Sequence, residues 1–173
     1  MTDKERWSKD ESYDAGWQHR TMRLFRMISE DSTTILEFGA GMCFTAGLLK
    51  PHQVYTPSDL VNRDDYSRGG QPTIVMDLNN DPWEITEQYD AVMFSGVLEY
   101  VDNLEALVAN VATITDQVVC SYADTRNLKR NNRNGWINSM SQGSFRELFI
   151  EHGLIVMERS NWNGQALYKF ERR

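Results

Sequence analysis

The stretch of sequence between residues 33 and 41 reads Thr33-Thr34-Ile35-Leu36-Glu37-Phe38-Gly39-Ala40-Gly41. It begins with residue types that favour β-strands and ends in two glycines separated by a single residue. Glycines at a strand-to-helix turn allow the backbone to bend sharply and to approach a ligand closely. We expect a helix over residues 44–50 to follow, with unpaired N–H groups at its start. The stretch therefore predicts a strand and a ligand-contacting turn, although tight turns also use glycine for purely steric reasons.

Strand-like and helix-like segments alternate on both sides of this turn. Helical spacing of apolar residues marks 13–28, 104–111 and 144–153, and strand-like runs occur at 53–59, 73–77, 89–95 and 117–121. The last two runs, 154–157 and 165–170, are joined across Asn163-Gly164, which indicates an antiparallel hairpin. This order predicts an α/β fold with a doubly wound, mostly parallel sheet that binds ligands at the carboxyl ends of its strands. We expect a flexible N-terminus over residues 1–12 and a single domain over residues 13–173.

The composition excludes several classes of partner. Eighteen basic against 25 acidic residues give a formal net charge of −7, which argues against general nucleic-acid binding or an anionic membrane surface. The longest nearly apolar stretch, residues 91–98, is far shorter than the ~20 residues of a membrane span. Cys43 and Cys120 are the only cysteines, so neither a disulfide framework nor a metal site is expected. The reducing cytoplasm is the expected location.

Two further acids follow predicted strands. Asp59 lies 22 residues after Glu37 near the end of the second strand, and Asp77 ends the third. A carboxylate at the first position can accept two hydrogen bonds from ribose hydroxyls, and Asp77 or the Leu78 amide can contact an adenine edge. Singly, each acid is explained by a helix cap or a solvated turn. Together, at successive strand ends after a glycine-rich turn, they indicate a nucleoside-bearing ligand.

The identity of that ligand follows by elimination. A dinucleotide fingerprint that begins at Gly39 would need its third glycine where this chain has Phe44. The sequence also lacks a phosphate loop and the Tyr-x-x-x-Lys pair of short-chain reductases. S-adenosylmethionine fits best, and an oxidoreductase that binds NAD or a nucleotide sugar is a rival reading.

The sequence resembles the class I S-adenosylmethionine-dependent methyltransferases over roughly residues 33–170. The resemblance implies a Rossmann-like, seven-stranded sheet with a C-terminal antiparallel hairpin. It is carried by residues 35–41, Asp59, Asp77 and residues 89–102. A narrower similarity, at residues 55–61, 77–79 and 134–138, is to small bacterial methyltransferases found with polysaccharide biosynthesis enzymes.

The resemblance also implies roles for individual residues in cofactor binding. The methionine end is framed by Glu37, Phe38, Gly39, Ala40 and Gly41, the ribose is held by Asp59 next to Leu60, the adenine edge meets Asp77 and Leu78, and the sulfonium side meets Ser95 and Gly96. One departure is Cys43, which stands where the family often has a third glycine. We interpret Cys43 as a small packed residue and not as a nucleophile.

Methyl transfer is a displacement at an already activated carbon, so positioning the acceptor supplies much of the acceleration. A hydroxyl acceptor also has to lose its proton. Glu99 and Tyr100 follow the fourth strand and are the candidate catalytic residues. The alternative is that they are a helix-start acid and a packed aromatic ring.

The segment between the fifth strand and the next helix suggests the acceptor. Residues 126–133 contain four cations, three of which are arginines suited to binding phosphate or carboxylate: Arg126, Arg130 and Arg133. We expect O-methylation of a small anionic sugar or sugar nucleotide, and the alternative is a solvated loop. The aromatic rings of Tyr13, Trp17 and Trp136 are candidates to line the acceptor pocket, although core packing explains each equally well. A rival function is a methyltransferase-like protein that binds and regulates a partner enzyme.

Overall fold

A computed structural model describes residues 15–124 and 135–173 of the chain. The seven strands form one sheet in the order β3-β2-β1-β4-β5-β7-β6. Their bounds are β1 Thr34–Phe38, β2 Val54–Asp59, β3 Ile74–Val75, β4 Ala91–Phe94, β5 Gln117–Ala123, β6 Leu154–Trp162 and β7 Gln165–Arg172. The expected N-terminal segment, residues 1–12, and four predicted acceptor-site residues, Tyr13, Arg126, Arg130 and Arg133, lie outside the described residues.

Strands β1 to β5 are parallel and the last two run as an antiparallel hairpin. β1 pairs with β2 and β4, β2 with β3, and β4 with β5, all in parallel register. β7 lies antiparallel between β5 and β6. The hairpin turn places Asn163 and Gly164 at φ values of 44° and 79°, which suits a two-residue turn whose central positions both need positive φ. The predicted doubly wound sheet with its C-terminal hairpin is therefore confirmed.

Helices cover both faces of the sheet. In the described part of the chain the α-helices are α1 Ala15–Phe25, α2 Leu104–Ile114 and α3 Gln142–Glu151. The core residues of β4 alternate between the two layers: Ala91 and Met93 pack with Leu24 of α1, whereas Val92 and Phe94 belong to the cluster formed with α2 and α3. None of the helices in this part of the chain is long and apolar enough to cross a membrane.

The connection between β1 and β2 differs from the prediction. The expected helix over residues 44–50 is replaced by a four-residue 3₁₀-helix, Phe44–Gly47. Cys43 has a left-handed backbone conformation directly before it, and Pro51 disfavours helical geometry at the preceding residue. The segment between these two positions is too short for its hydrogen bonds to offset the free-energy cost of nucleating an α-helix. The expected α-helix N-terminus is therefore absent here.

Candidate functional site

The glycine-rich loop after β1 is shaped by three left-handed residues. Gly39, Gly41 and Cys43 have φ values of 69°, 53° and 49°. A Cβ atom on Gly39 would lie 3.0 Å from the Cβ and Cγ2 atoms of Val97, which follows β4. Gly39 therefore has both a backbone and a packing reason to be glycine. Cys43 adopts the left-handed conformation that a glycine would favour.

The acid at the end of β2 is joined directly to this loop. The Gly41 N–H donates a 2.7 Å hydrogen bond to Oδ2 of Asp59. Arg63 lies on the other side of the carboxylate, with its Nε 3.3 Å from Oδ2 and its Nη2 donating to Oδ1 at 3.4 Å. The side chains of Asp59 and Arg63 are 7% and 3% exposed. The turn after β1 and the end of β2 thus meet at one buried carboxylate.

Glu37 lies beneath the loop and is almost fully buried. Its Oε2 accepts a 2.6 Å hydrogen bond from the Tyr55 hydroxyl of β2. Burial, which disfavours the charged form, raises the pKa of Glu37 to about 7, against the lowering effect of the hydrogen bond from Tyr55. Burial likewise raises the pKa of the Cys43 thiol to about 12, so this thiol is not an activated nucleophile. Phe38 and Ala40, the other two predicted loop residues, are buried as well.

The turn after β3 lies against the segment after β4. Asp77 accepts from the Asn79 N–H at 2.9 Å and from the Asn80 side chain at 2.8 Å, so both of its carboxylate oxygens close the turn. The Asn79 side chain donates to the Tyr100 carbonyl and accepts from the Asp102 N–H, each at 2.9 Å. Leu78 is half-buried against the main core cluster. Asp77 therefore serves the turn, and Leu78 and Asn79 line the side that faces β4.

A buried guanidinium covers the end of β4. Arg20 of α1 donates to the Ser95 carbonyl at 2.9 Å and to the Ser95 hydroxyl at 3.2 Å, and Thr21 is hydrogen-bonded to the same hydroxyl at 2.9 Å. A Cβ atom on Gly96 would lie 2.3 Å from three atoms of this guanidinium. Burial lowers the pKa of Arg20, and the nearby Glu99 partly offsets this effect. Helix α1 is thereby anchored over Ser95 and Gly96.

Glu99 is fully buried within a network of hydrogen bonds. Its Oε1 accepts from the Ala123 N–H at 2.9 Å and from the Gln165 side chain at 2.8 Å. The oxygen of the Gln165 amide in turn accepts from Arg20 at 3.0 Å. Burial raises the pKa of Glu99. Within the described residues, the second carboxylate oxygen of Glu99 has no hydrogen-bond partner. These contacts make Glu99 a link between β5, β7 and α1, and its role as the general base stays a prediction.

Two of the remaining described candidates, Trp17 and Trp136, lie on segments that reach the residues after β4. Trp17 is half-buried on α1, one helical turn before Arg20. Trp136 is half-buried beside Ile137, whose N–H donates to the Glu99 carbonyl at 3.0 Å. The buried Asn138 side chain donates to the Leu98 and Val101 carbonyls at 2.7 and 3.1 Å. Tyr100 is half-buried, and Leu60 lies half-buried directly after Asp59.

Comparison with known proteins identifies the family. A family model described as a methyltransferase domain matches residues 10–158, which is most of the chain. The chain belongs to this methyltransferase family. No curated protein matches its sequence.

Solved structures of other methyltransferases share the fold. The putative methyltransferase in the complex with its activator from Haloferax volcanii has a TM-score of 0.74 at 15% identity, covering 96% of this chain and 94% of that one. Magnesium protoporphyrin IX methyltransferase from Synechocystis, with S-adenosylhomocysteine bound, gives 0.71 at 14% identity, covering 91% and 84%. The N-methyltransferase NodS from Bradyrhizobium japonicum, also with S-adenosylhomocysteine, gives 0.70 at 17% identity, covering 93% and 89%.

The predicted methyltransferase is therefore confirmed. The chain has the Rossmann-like sheet of solved methyltransferases, two of which hold S-adenosylhomocysteine. The comparisons do not indicate the acceptor of this chain, because the solved relatives named here share less than a fifth of their residues with it.

Several buried polar residues around the candidate site carry no local signal in the sequence. Arg20 meets Gln165 across 145 positions and Ser95 across 75. Arg63 stands four residues after Asp59, but the sequence does not indicate that its side chain is buried against the Asp59 carboxylate. Asn138 lies within the 134–138 motif, so the sequence points to this position but does not indicate which groups its side chain contacts.

Proposed function

We propose that this methyltransferase transfers the methyl group of S-adenosylmethionine to a hydroxyl of a small anionic acceptor, such as a phosphorylated or uronic sugar or a nucleotide sugar. The observation that supports the cofactor's position best is the 2.7 Å hydrogen bond from the Gly41 N–H to Asp59. It brings together the turn after β1 and the acid after β2, at the edge where β4 also ends.

The residues at this edge fit the cofactor chemically. Asp59 keeps acceptor capacity for ribose hydroxyls, because a carboxylate accepts about four hydrogen bonds and Gly41 and Arg63 use only part of them. We assign the adenine edge to Leu78 in preference to the Asp77 carboxylate, since both oxygens of Asp77 are engaged in its own turn. When bound, the cofactor supplies an activated methyl group.

The ends of the cofactor follow from the same geometry. We assign the methionine end to the loop 37–41, where Gly39 allows a close approach of the backbone, and the sulfonium side to Ser95 and Gly96. Arg20 and Thr21 fix the Ser95 side chain, so this part of the pocket is held in place before a ligand arrives. A preformed site loses less conformational entropy on binding.

The acceptor part of the proposal rests on two aromatic residues of the described structure and on the charge pattern of the sequence. Trp17 and Trp136 lie on the segments that converge on residues 95–99, and flat aromatic faces suit sugar rings. Arg126, Arg130 and Arg133 supply the positive charge in an otherwise acidic chain. Ala123 and Gln165 engage only Oε1 of Glu99, so we assign Oε2 the hydroxyl proton of the acceptor and give Tyr100 the contact with the acceptor. The two buried, unpaired cysteines agree with action in the cytoplasm.

The test is transfer of a labelled methyl group from S-adenosylmethionine to a panel of sugar phosphates, uronic acids and nucleotide sugars, with neutral sugars as matched controls. We expect product with at least one anionic acceptor and none with its neutral counterpart. Replacing Arg130 and Arg133 together by alanine should raise the KM of that acceptor at least tenfold. Equal transfer to charged and neutral acceptors, or an unchanged KM, contradicts the anionic assignment.

A further inference from the structure

A buried cation lies directly behind the carboxylate that we assign to the ribose. Arg63 is 2% exposed, although arginine is almost never so buried without a partner. Its guanidinium contacts both oxygens of Asp59, with Nε 3.3 Å from Oδ2 and Nη2 3.4 Å from Oδ1. The Nη2–Oδ1 contact is a hydrogen bond and the Nε–Oδ2 contact is a close charge contact, and together they oppose rotation of the carboxylate about its own bond.

The backbone of Arg63 is fixed independently of its side chain. Its N–H donates to the Thr73 hydroxyl at 2.9 Å, just before β3, and its carbonyl accepts from the Tyr66 N–H at 2.8 Å. The thiol of Cys43 lies 3.9 Å from the same carbonyl. Arg63 therefore reaches Asp59 from a turn that is tied both to β3 and to the glycine-rich loop.

The remaining hydrogen-bonding capacity of Asp59 matches two hydroxyl groups. The carboxylate offers about four acceptor positions. The Gly41 N–H takes one at Oδ2 and the Arg63 Nη2 takes one at Oδ1, which leaves about one position on each oxygen. The positions left over belong to both oxygens, as two neighbouring hydroxyls of one ribose would require.

We propose that Arg63 is a positioning residue that holds the Asp59 carboxylate in the orientation that recognises the 2′ and 3′ hydroxyls of the cofactor ribose. This inference rests on the proposed cofactor site. Arg63 contacts no cofactor atom in this account and acts through Asp59 alone. Lysine is a poor substitute, because its single ammonium cannot contact both carboxylate oxygens in a fixed plane.

The experiment measures how much binding affinity each protein variant loses when a ribose hydroxyl is removed from the ligand. Calorimetric titrations use S-adenosylhomocysteine and its 2′-deoxy and 3′-deoxy analogues, which need no methyl acceptor. The variants are Arg63→Met and Arg63→Lys. The control is Arg68→Met, which removes a charge from an exposed position five residues further along the same loop. Thermal unfolding of every variant monitors folding.

We expect the unaltered protein and Arg68→Met to bind the deoxy analogues about 10-fold to 100-fold more weakly than S-adenosylhomocysteine, the range for a hydrogen bond to a charged group. In Arg63→Met this penalty should shrink to less than about threefold while S-adenosylhomocysteine itself binds at least tenfold more weakly. Arg63→Lys should show an intermediate penalty, and it carries the test if Arg63→Met does not fold.

Three outcomes overturn the inference in distinguishable ways. If the Arg63 variants weaken all three ligands by the same factor, Arg63 has a general structural role and does not orient Asp59. If the unaltered protein binds S-adenosylhomocysteine but shows no deoxy penalty, Asp59 does not recognise the ribose. Failure of the unaltered protein to bind S-adenosylhomocysteine at all overturns the proposed cofactor site together with this inference.

Discussion

The titration of Glu37 links the cofactor loop to the stability of the fold. Glu37 is 2% exposed, and burial raises its pKa from an ordinary 4.5 to about 7. A carboxyl group with a raised pKa binds its proton more tightly in the folded protein than in the unfolded chain. Its contribution to stability is therefore fully present below pH 4.5 and is lost as the pH rises through 7. The difference between the two pKa values corresponds to about 3 kcal/mol.

The perturbation is Glu37→Gln, which keeps the shape of the side chain and removes its titration. Between pH 5.0 and 7.5 we expect Glu37 to lower the free energy of unfolding of the ligand-free protein by about 2 kcal/mol, because most of the titration falls in this interval. The measurement is urea denaturation of the unaltered protein and of Glu37→Gln at both pH values. At each pH we subtract the unfolding free energy of Glu37→Gln from that of the unaltered protein, and the quantity compared is the change in this difference between pH 5.0 and 7.5.

This subtraction removes the other titrating groups. Burial also raises the pKa of Glu99, so Glu99 adds a pH dependence of the same sign to both proteins. Hydrogen bonds lower the pKa values of Asp64 and Asp90, and these two groups titrate below the interval. The expected change in this difference of unfolding free energy is about 2 kcal/mol. A difference that stays constant within about 0.5 kcal/mol from pH 5.0 to 7.5 would refute the reasoning.

Substitutions at Gly96, Cys43 and Asn138, with one at Gly69 as a control, test the packing around the site by denaturant unfolding. Gly96→Ala should cost about 3 kcal/mol or more, because a Cβ atom there would lie 2.3 Å from the Arg20 guanidinium and break its hydrogen bonds. Gly69→Ala, at a similar positive φ with nothing within 4 Å, should cost only about 1–2 kcal/mol, and equal losses would contradict the role of Arg20. Cys43 has a left-handed backbone, so Cys43→Gly should change the unfolding free energy by less than about 1 kcal/mol, whereas Cys43→Val should lower it by at least about 2 kcal/mol. The reverse order would rule out backbone strain at this position. Asn138→Ala should cost about 2–4 kcal/mol, because it leaves two buried carbonyls and the Tyr122 hydroxyl without this partner, and a loss below about 0.5 kcal/mol would contradict that.

The fold could be predicted because its signals are local. Alternating apolar runs and helical stripes identify the order of elements, and Asn163-Gly164 identifies the hairpin from two residues. The errors arose where two local preferences compete. The spacing of Ser144 indicates a start of α3, but the structure begins it at Gln142, because Ser141 caps it by accepting from the Ser144 N–H at 3.0 Å.

The sequence predicts only the part of the candidate site that lies at the carboxyl ends of the strands. Parallel strands bring their carboxyl ends to one edge, so Glu37, Asp59 and Ser95 could be placed together from sequence alone. The sequence does not indicate which acids are engaged by their own turns, as Asp77 is, because short-range hydrogen bonds depend on backbone geometry. It is equally silent on Glu99, whose burial depends on contacts with residues 24 and 66 positions away.

The central claim is that S-adenosylmethionine binds at the edge where β1, β2 and β4 end, with Asp59 as its ribose contact. The most direct measurement is the ligand-induced change in unfolding free energy with S-adenosylmethionine, S-adenosylhomocysteine or NAD. It should be made on the unaltered protein, on Asp59→Asn, and on Asp65→Asn as an exposed control. We predict a stabilisation of about 2.7 kcal/mol at 100 times Kd for both adenosyl ligands, retained in Asp65→Asn and strongly reduced in Asp59→Asn at the same ligand concentration. Stabilisation by NAD alone, or by the adenosyl ligands equally in all three proteins, would contradict the account.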